Sequence, residues 1–487
     1  MVSSQAYEAI SDTPAVWAAS GPRTGTGSDL DVFDPSDGSL ISRLPSAGNV
    51  DVAAVVEDAR AAFVGSWASW EPAERGAALH RVAGLIRSRS DELRDLVTLD
   101  AGLPLRLAST DVTAAAKYFE FYAGLAGKLH GDSIPLGVGF VDYTVREPWG
   151  VCAVILPFNV PLQMAARSVA AALVSGNVVV LKPAEQAPFS AIALLRLCLE
   201  AGIPEGVVTA VIGTGSQTGD PLVRHAGVDH VTFTGSLATG RRIMTSAAQG
   251  MKPVLLELGG KSPQIVFADA DLDRAIPSIV GSALRTAGQA CSAGTRILVQ
   301  RSAYDRVVER LAAASSALTV GAARDDPDVG PVISAHQRDV ITAAVEASIV
   351  SGATVLGGGD REDLPVGGYY VPPTVLAAPG PQVTSAREEI FGPVLTVLPI
   401  DDEDAALDLA DDSEFGLVAG IWTQDIGRAL RLASRVKAGQ VFVNNYGVGG
   451  GVELPFGGYK RSGFGRLKGI AGAIEYTQLK NVCIAIA

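Results

Sequence analysis

The chain has 487 residues, 48% hydrophobic and 19% charged, with 39 Lys and Arg against 52 Asp and Glu. That length predicts roughly two to four domains, and the composition excludes global disorder. A net charge of −13 excludes a bulk electrostatic grip on nucleic acid or on an anionic membrane.

Little regular pattern precedes residue 35, after which Asp37-Gly38 between short alternating runs predicts a hairpin. Helical apolar spacing follows over 51–63 and 75–86, and a strand is expected over 139–145. From Val151 the pattern becomes regular. Apolar strands are predicted at 151–157, 178–183, 207–213, 230–235 and 254–260, with helical stretches between them. One helix is expected to stop at Gly176, and another to be capped by Ser190 and to stop at Gly202. A second alternating series starts at Pro263, with helices over 271–287, 302–318 and 335–350 and a strand at 296–300. Such alternation implies parallel βαβ units, whose ligands bind at the carboxyl ends of the strands. A domain boundary is expected near 258. The frequent glycines and prolines, 54 and 27, fit many tight turns.

The apolar stretch 151–181 is broken by Pro157, Asn159, Pro161, Arg167 and Asn177, so it reads as buried core and not as a bilayer span. The first residues lack a basic region followed by an apolar core, so no signal peptide is expected. The four cysteines, Cys152, Cys198, Cys291 and Cys483, form neither CxxC nor a disulfide framework, which predicts a reduced, cytoplasmic setting. The five histidines have no metal-ligand spacing, so no metal is expected. Gly213–Gly219 is one residue off a dinucleotide fingerprint, and Gly235–Gly240 lacks the lysine of a P-loop, which excludes nucleotide triphosphate hydrolysis.

Stronger candidates sit at strand ends. Cys291, in Gly288-Gln-Ala-Cys-Ser-Ala-Gly294, is either a buried structural thiol or a nucleophile with room for a ligand. Glu257 closes an apolar strand and is either turned to solvent or a general base. Asn159 lies between two prolines, as a turn residue or as an oxyanion donor. Lys182 and Glu185 are an ordinary charged strand end or contacts to ribose oxygens.

Together, in chain order, LPFNVP, KPAE, FTGS, LELGGKSP, GQACSAG, EEIFGPV and PFGGYKRSGFGR resemble the aldehyde dehydrogenase superfamily from about residue 30 to the end. The resemblance implies an α/β fold. A Rossmann-type NAD-binding domain (1–125 and 149–257) would join an α/β catalytic domain (258–460) and a small β oligomerisation arm (126–148 and 461–487). It implies Cys291 as nucleophile, Glu257 as general base and Asn159, with the Cys291 N–H, as oxyanion donors. It gives Lys182, Glu185, Gly235, Ser236, Gly240, Glu389, Phe391 and Phe158 to the cofactor, with Lys261 in support, and implies a homodimer or homotetramer. NAD is expected over NADP because Glu185 would repel a 2′-phosphate. Pro-Phe-Asn replaces the family's usual Pro-Trp-Asn, which keeps the amide.

The resemblance places Val160, Gln163, Met164, Arg167, Arg285, Ser292 and Phe456 along the substrate channel. Arg167 and Arg285 could hold the carboxylate of a semialdehyde, or Arg167 could pair within the protein. The glycine run 447–451 suggests a roomy channel that also admits an aromatic aldehyde. A coenzyme-A-acylating enzyme and a non-catalytic protein of the same fold are the alternatives. An intact Glu257 argues against the first, and Cys291, Glu257 and Asn159 together argue against the second.

Overall fold

The computed structural model describes residues 13–359, 363–447 and 451–486, with Arg285 described by its backbone alone. The strands expected after Val151 form five parallel strands in the middle of an eight-stranded sheet. Their spatial order is Val208–Val211, Val178–Lys182, Val151–Ile155, His230–Thr234 and Val254–Glu257. All but Val254 are buried, as strands covered on both faces require. Short antiparallel strands close both edges, Val16–Ala18 with Gly21–Arg23 on one side and Gly463–Phe464 on the other.

The chain steps outward from Val151–Ile155 in one direction, then returns to build His230–Thr234 on its other side. The strand order therefore reverses between these two strands, which opens a crevice beyond their carboxyl ends.

A second sheet has seven strands, in the order Thr354–Gly358, Thr374–Ala377, Val394–Ile400, Arg296–Gln300, Pro263–Val266, Val418–Trp422 and Gln440–Val443. Only the first pair is antiparallel. Alternate residues feed two separate cores. Ile265 and Leu298 point to one face, and Val266, Ile297 and Val299 to the other. Residues 258–262 carry the chain from the end of one sheet to the start of the other.

The predicted hairpin pairs Asp29–Phe33 with Leu40–Pro45, and Gly38 takes the positive φ of +76° that its turn needs. Phe140–Pro148 pairs with Thr477–Ala485 as a separate two-stranded ribbon. This ribbon is narrower than the arm expected over 126–148 and 461–487, because Gly463–Phe464 extends the larger sheet and the helix Gly469–Glu475 packs on Pro161–Val174. No helix among the described residues is long and apolar enough to cross a membrane.

Two local expectations change. Ser190 lies inside the helix Phe189–Glu200 and does not cap it. The cap comes from Asp100, whose carboxylate accepts the N–H groups of Phe189 (3.3 Å) and Ser190 (2.8 Å) and the Ser190 hydroxyl (2.7 Å). The helix expected over 271–287 ends at Leu284. Beyond it Thr286 and Ala287 turn to φ of 51° and 52°, which no helix continues through.

Candidate active site

The site lies at the crevice where the strand order reverses. Asn159 follows the strand Val151–Ile155, at the start of the helix Pro161–Val174. Buried Asp111 accepts the N–H groups of Leu162 and Gln163, both at 3.2 Å, and so fixes that helix start. The Asn159 amide donates to the Gln289 carbonyl at 2.8 Å, and its Oδ1 has no hydrogen-bond partner among the described residues. Gln289 is itself braced: its Nε2 donates to Thr286 O, and its Oε1 accepts from Ile333 N. Asn159 therefore holds the backbone two residues before Cys291.

Two glycines make that arrangement possible. Gly288 has φ +72°, and a Cβ there would come within 2.1 Å of the Gly392 carbonyl. A Cβ on Gly260 would meet the Cys291 carbonyl oxygen at 2.6 Å. The turn after Glu257 thus lies directly on the Cys291 loop, which brings two distant sequence motifs together.

Cys291 opens onto a cavity of about 340 Å³. Of the sequence-predicted channel residues, Val160, Gln163, Met164, Arg167, Ser292 and Phe456 line it together with Asn159. The side chain of Arg285 lies outside the described residues, as do residues 448–450 of the glycine run; Gly447 and Gly451 border the cavity. Sequence reasoning did not single out Tyr118, Phe442, Tyr446 or Lys468, which also line it. Tyr446 donates to the Ser292 carbonyl at 2.7 Å and braces the residue after the thiol. A lysine wedged between glycine-rich turns, Gly463 to Gly469, was the available signal for Lys468.

Glu257 is 1% exposed, and neither carboxylate oxygen has a hydrogen-bond partner among the described residues. Burial pushes its carboxyl up to about 8, opposed by the charges of Arg167, Arg466 and Lys468. Cys291 is pushed up to about 11 by the protein packed around it, with Arg167 pulling it down and Glu257 raising it. Arg167 donates from Nη2 to the Thr234 hydroxyl at 3.2 Å, while its Nε has no partner among the described residues. Its partner there is thus a hydroxyl and not a carboxylate.

The expected cofactor contacts follow the neighbouring strands. Lys182 Nζ pairs with Glu185 at 2.8 Å just past Val178–Lys182. Gly235 and Ser236 follow His230–Thr234, and the Ser236 hydroxyl accepts the Thr239 N–H at the start of the helix Leu237–Ala248. Gly240 lets that helix sit against Leu258, where a Cβ would come within 2.7 Å. Glu389 accepts the Gly260 N–H at 3.0 Å, and burial raises its carboxyl to about 7. Phe158 meets Phe391 edge to face at 5.8 Å. Lys261, lowered to about 7 by burial, lies beside Glu389 around a small cleft. A lysine–acid pair, a capped helix N-terminus and an aromatic pair along one sheet edge are the kinds of groups that a dinucleotide engages.

Comparison with known proteins agrees with this architecture. The family model described as "Aldehyde dehydrogenase family" matches residues 23–482. The chain is 42% identical to the betaine aldehyde dehydrogenase of Rhizobium etli, over 94% of each chain. It is 40% identical to the 4-trimethylaminobutyraldehyde dehydrogenase of Bos taurus, over 93% of this chain and 92% of that one. The NAD+ complex of an aldehyde dehydrogenase from Bacillus cereus superposes with a TM-score of 0.97 at 37% identity, over 100% of this chain and 99% of that one. With a match over nearly its whole length, and with cysteine, amide and buried acid gathered at one crevice, the chain belongs to the aldehyde dehydrogenase family.

Proposed function

We propose that this chain oxidises an aldehyde to a carboxylic acid, with NAD as hydride acceptor, through a thioester on Cys291. The observation that carries the reading is Glu257. It is a buried acid with no hydrogen-bond partner among the described residues, on a turn packed against the Cys291 loop. A group of this kind is costly to keep unless it is used.

NAD, when bound along the sheet edge, supplies the acceptor for the aldehyde hydride. Lys182 and Glu185 would hold the adenosine ribose, and Gly235, Ser236 and Gly240 would set the helix N-terminus toward the pyrophosphate. Phe158, Glu389 and Phe391 would confine the nicotinamide end. Glu185 supports NAD over NADP by charge.

The remaining steps belong to the chain's own residues. The Cys291 thiol gives up its proton to solvent as sulfur attacks the aldehyde carbon. The Asn159 amide and the Cys291 N–H donate to the oxyanion that forms. Loss of hydride from carbon leaves the thioester. Glu257 then takes a proton from water, the resulting hydroxide attacks the thioester carbonyl, and sulfur departs. For substrate, the aromatic wall of Tyr118, Phe442, Tyr446 and Phe456 supports an aromatic aldehyde, and Arg167 supports a carboxylated one.

The ribbon exposes Phe140, Val141, Leu479 and Ile484, which supports a homodimer or homotetramer. The test of the function is NADH formation by the purified chain from aldehydes and NAD without coenzyme A. Turnover that requires coenzyme A would replace hydrolysis with acyl transfer, and no turnover on any aldehyde would overturn the proposal.

A further inference from the structure

Thr234 and Glu257 are register partners on neighbouring parallel strands, so their side chains leave the same face of the sheet. On that face Arg167, from the helix Pro161–Val174, donates to the Thr234 hydroxyl at 3.2 Å. Its guanidinium is thereby fastened beside the strand end that carries Glu257, and both side chains are buried. The same guanidinium lies 5.8 Å from the centroid of the Phe456 ring. Cys291 packs against the small apolar cluster that Phe456 forms with Leu417 and Val418, and Arg167 and Cys291 line one cavity. Arg466, Lys468 and Glu475 also face Glu257 from the C-terminal segment, and Glu257, Glu389 and Lys468 face Cys291. Burial raises both the acid and the thiol, and of the charges around them Arg167 opposes that rise most. A guanidinium also keeps its charge throughout the range in which an enzyme works.

We propose that Arg167 is a positioning residue for both reacting groups: fastened to Thr234, it presents the fixed positive charge against which Cys291 reacts as a thiolate and Glu257 as a carboxylate. The assignment rests on the cysteine and glutamate roles proposed above and deepens them. A thiolate and a carboxylate at one cavity repel each other, and a cation held on the sheet face offsets that repulsion. Glu257 accepts no hydrogen bond from it, so the carboxylate keeps its lone pairs for a proton. An Arg167 whose charge is answered by Glu257 does not anchor a substrate carboxylate, which leaves the aromatic aldehyde of the two substrate readings.

The test is alkylation of Cys291 by iodoacetamide across a pH series. The reagent reacts with the thiolate, and counting the modified Cys291 peptide leaves out the exposed Cys483. Arg167→Met is expected to move the profile up by about one pH unit, so that alkylation at a given pH slows by about tenfold. Arg167→Lys keeps the charge and should stay near the native profile. Thr234→Val keeps the shape but releases the guanidinium, and should move the profile the same way by less. An unchanged profile in Arg167→Met would overturn the proposal, and so would equal shifts in the Met and Lys variants, the result of lost packing. If Arg167→Met does not fold, an unchanged profile in Thr234→Val overturns it instead. Benzaldehyde and 4-carboxybenzaldehyde add a second readout through NADH formation. Arg167→Met should lower turnover of both alike, and a loss confined to the carboxylated one would put the guanidinium on the substrate and overturn the proposal. Alkylation needs neither aldehyde nor nucleotide. A native chain that turns over no aldehyde therefore overturns the proposed function, while the profiles still decide whether Arg167 acts on the thiol.

Discussion

Asp100 and Glu257 are both buried carboxylates, at 0% and 1% exposure, yet their surroundings are opposite. Asp100 lies behind the larger sheet, on the helix Ser90–Ala101, and accepts three hydrogen bonds at the start of the helix Phe189–Glu200. Asp111 accepts two at the start of the helix Pro161–Val174. Glu257 lies at the carboxyl edge of the sheet and accepts none among the described residues. Burial raises all three, Asp100 to about 6, Asp111 to about 7 and Glu257 to about 8. The difference lies in what each carboxylate faces. The first two complete the backbone of helices that would otherwise begin with unpaired N–H groups. The third is left, among the described residues, with unused acceptors just before a turn that packs on the Cys291 loop. In one protein, a satisfied buried acid builds the frame and an unsatisfied one is available to react.

The largest expected effect tests the reactive side of this comparison. Cys291→Ala is expected to lower aldehyde turnover by roughly ten-thousandfold or more while NAD still binds, as measured by titration of the nucleotide. Retained turnover would move the reaction away from this cavity. Asn159→Ala comes next, with an expected loss of about a hundred- to a thousandfold in kcat. That variant also frees the Gln289 carbonyl, so its structure should be checked for a shifted Cys291 loop. Glu257→Gln separates the two halves of the reaction. A first burst of NADH should survive, and the steady rate should fall by about a hundredfold. The pH profile sharpens the point. Burial pushes the Glu257 carboxyl up to about 8, and the proposed hydrolysis uses its ionised form. Steady-state turnover should therefore fall as pH drops below 8, approaching tenfold per unit, and level off above it. A Glu257→Gln variant with the same slope would assign the titration to another group.

The two sides of the comparison were not equally legible in the sequence. The strands after Val151 were readable because each is a short run of mainly apolar or alternating residues ended by glycine, proline or a charged residue, and those ends form the crevice. The seven ordered motifs pointed to Cys291, Glu257 and Asn159, and the structure brings their loops together through Gly260 and the Asn159–Gln289 bond. The frame was harder to read. Ser190 has the residue type of a cap, but the cap is Asp100, 90 positions away, and no local pattern reports a partner at that distance. The overrun of the helix Leu272–Leu284 has a related cause. Its apolar period continues to Ala287, and the positive φ values that stop it fall on Thr286 and Ala287, not on glycine. Lys468 escaped notice for the same reason, as a non-glycine residue in a glycine conformation. The strand Val16–Ala18 is three residues long, too short for a period to register.

The smallest expected effect tests the structural side. Asp100→Ala leaves the Phe189 and Ser190 N–H groups buried without an acceptor, and should destabilise the fold by about 1–3 kcal/mol. That loss would be read as a lower urea midpoint. Because Asp100 is not among the described residues that line the Cys291 cavity, kcat measured well below the unfolding range should stay within about twofold of the native value. The pair of readouts gives the result its meaning. Glu257→Gln should lower kcat and leave the midpoint almost unchanged, since it keeps the shape and gives up no hydrogen bond seen in the fold. If Asp100→Ala lost activity while keeping its midpoint, a satisfied acid would be acting on the reaction through the helix it caps. Hydrogen-bond satisfaction would then no longer separate the frame from the site in this protein.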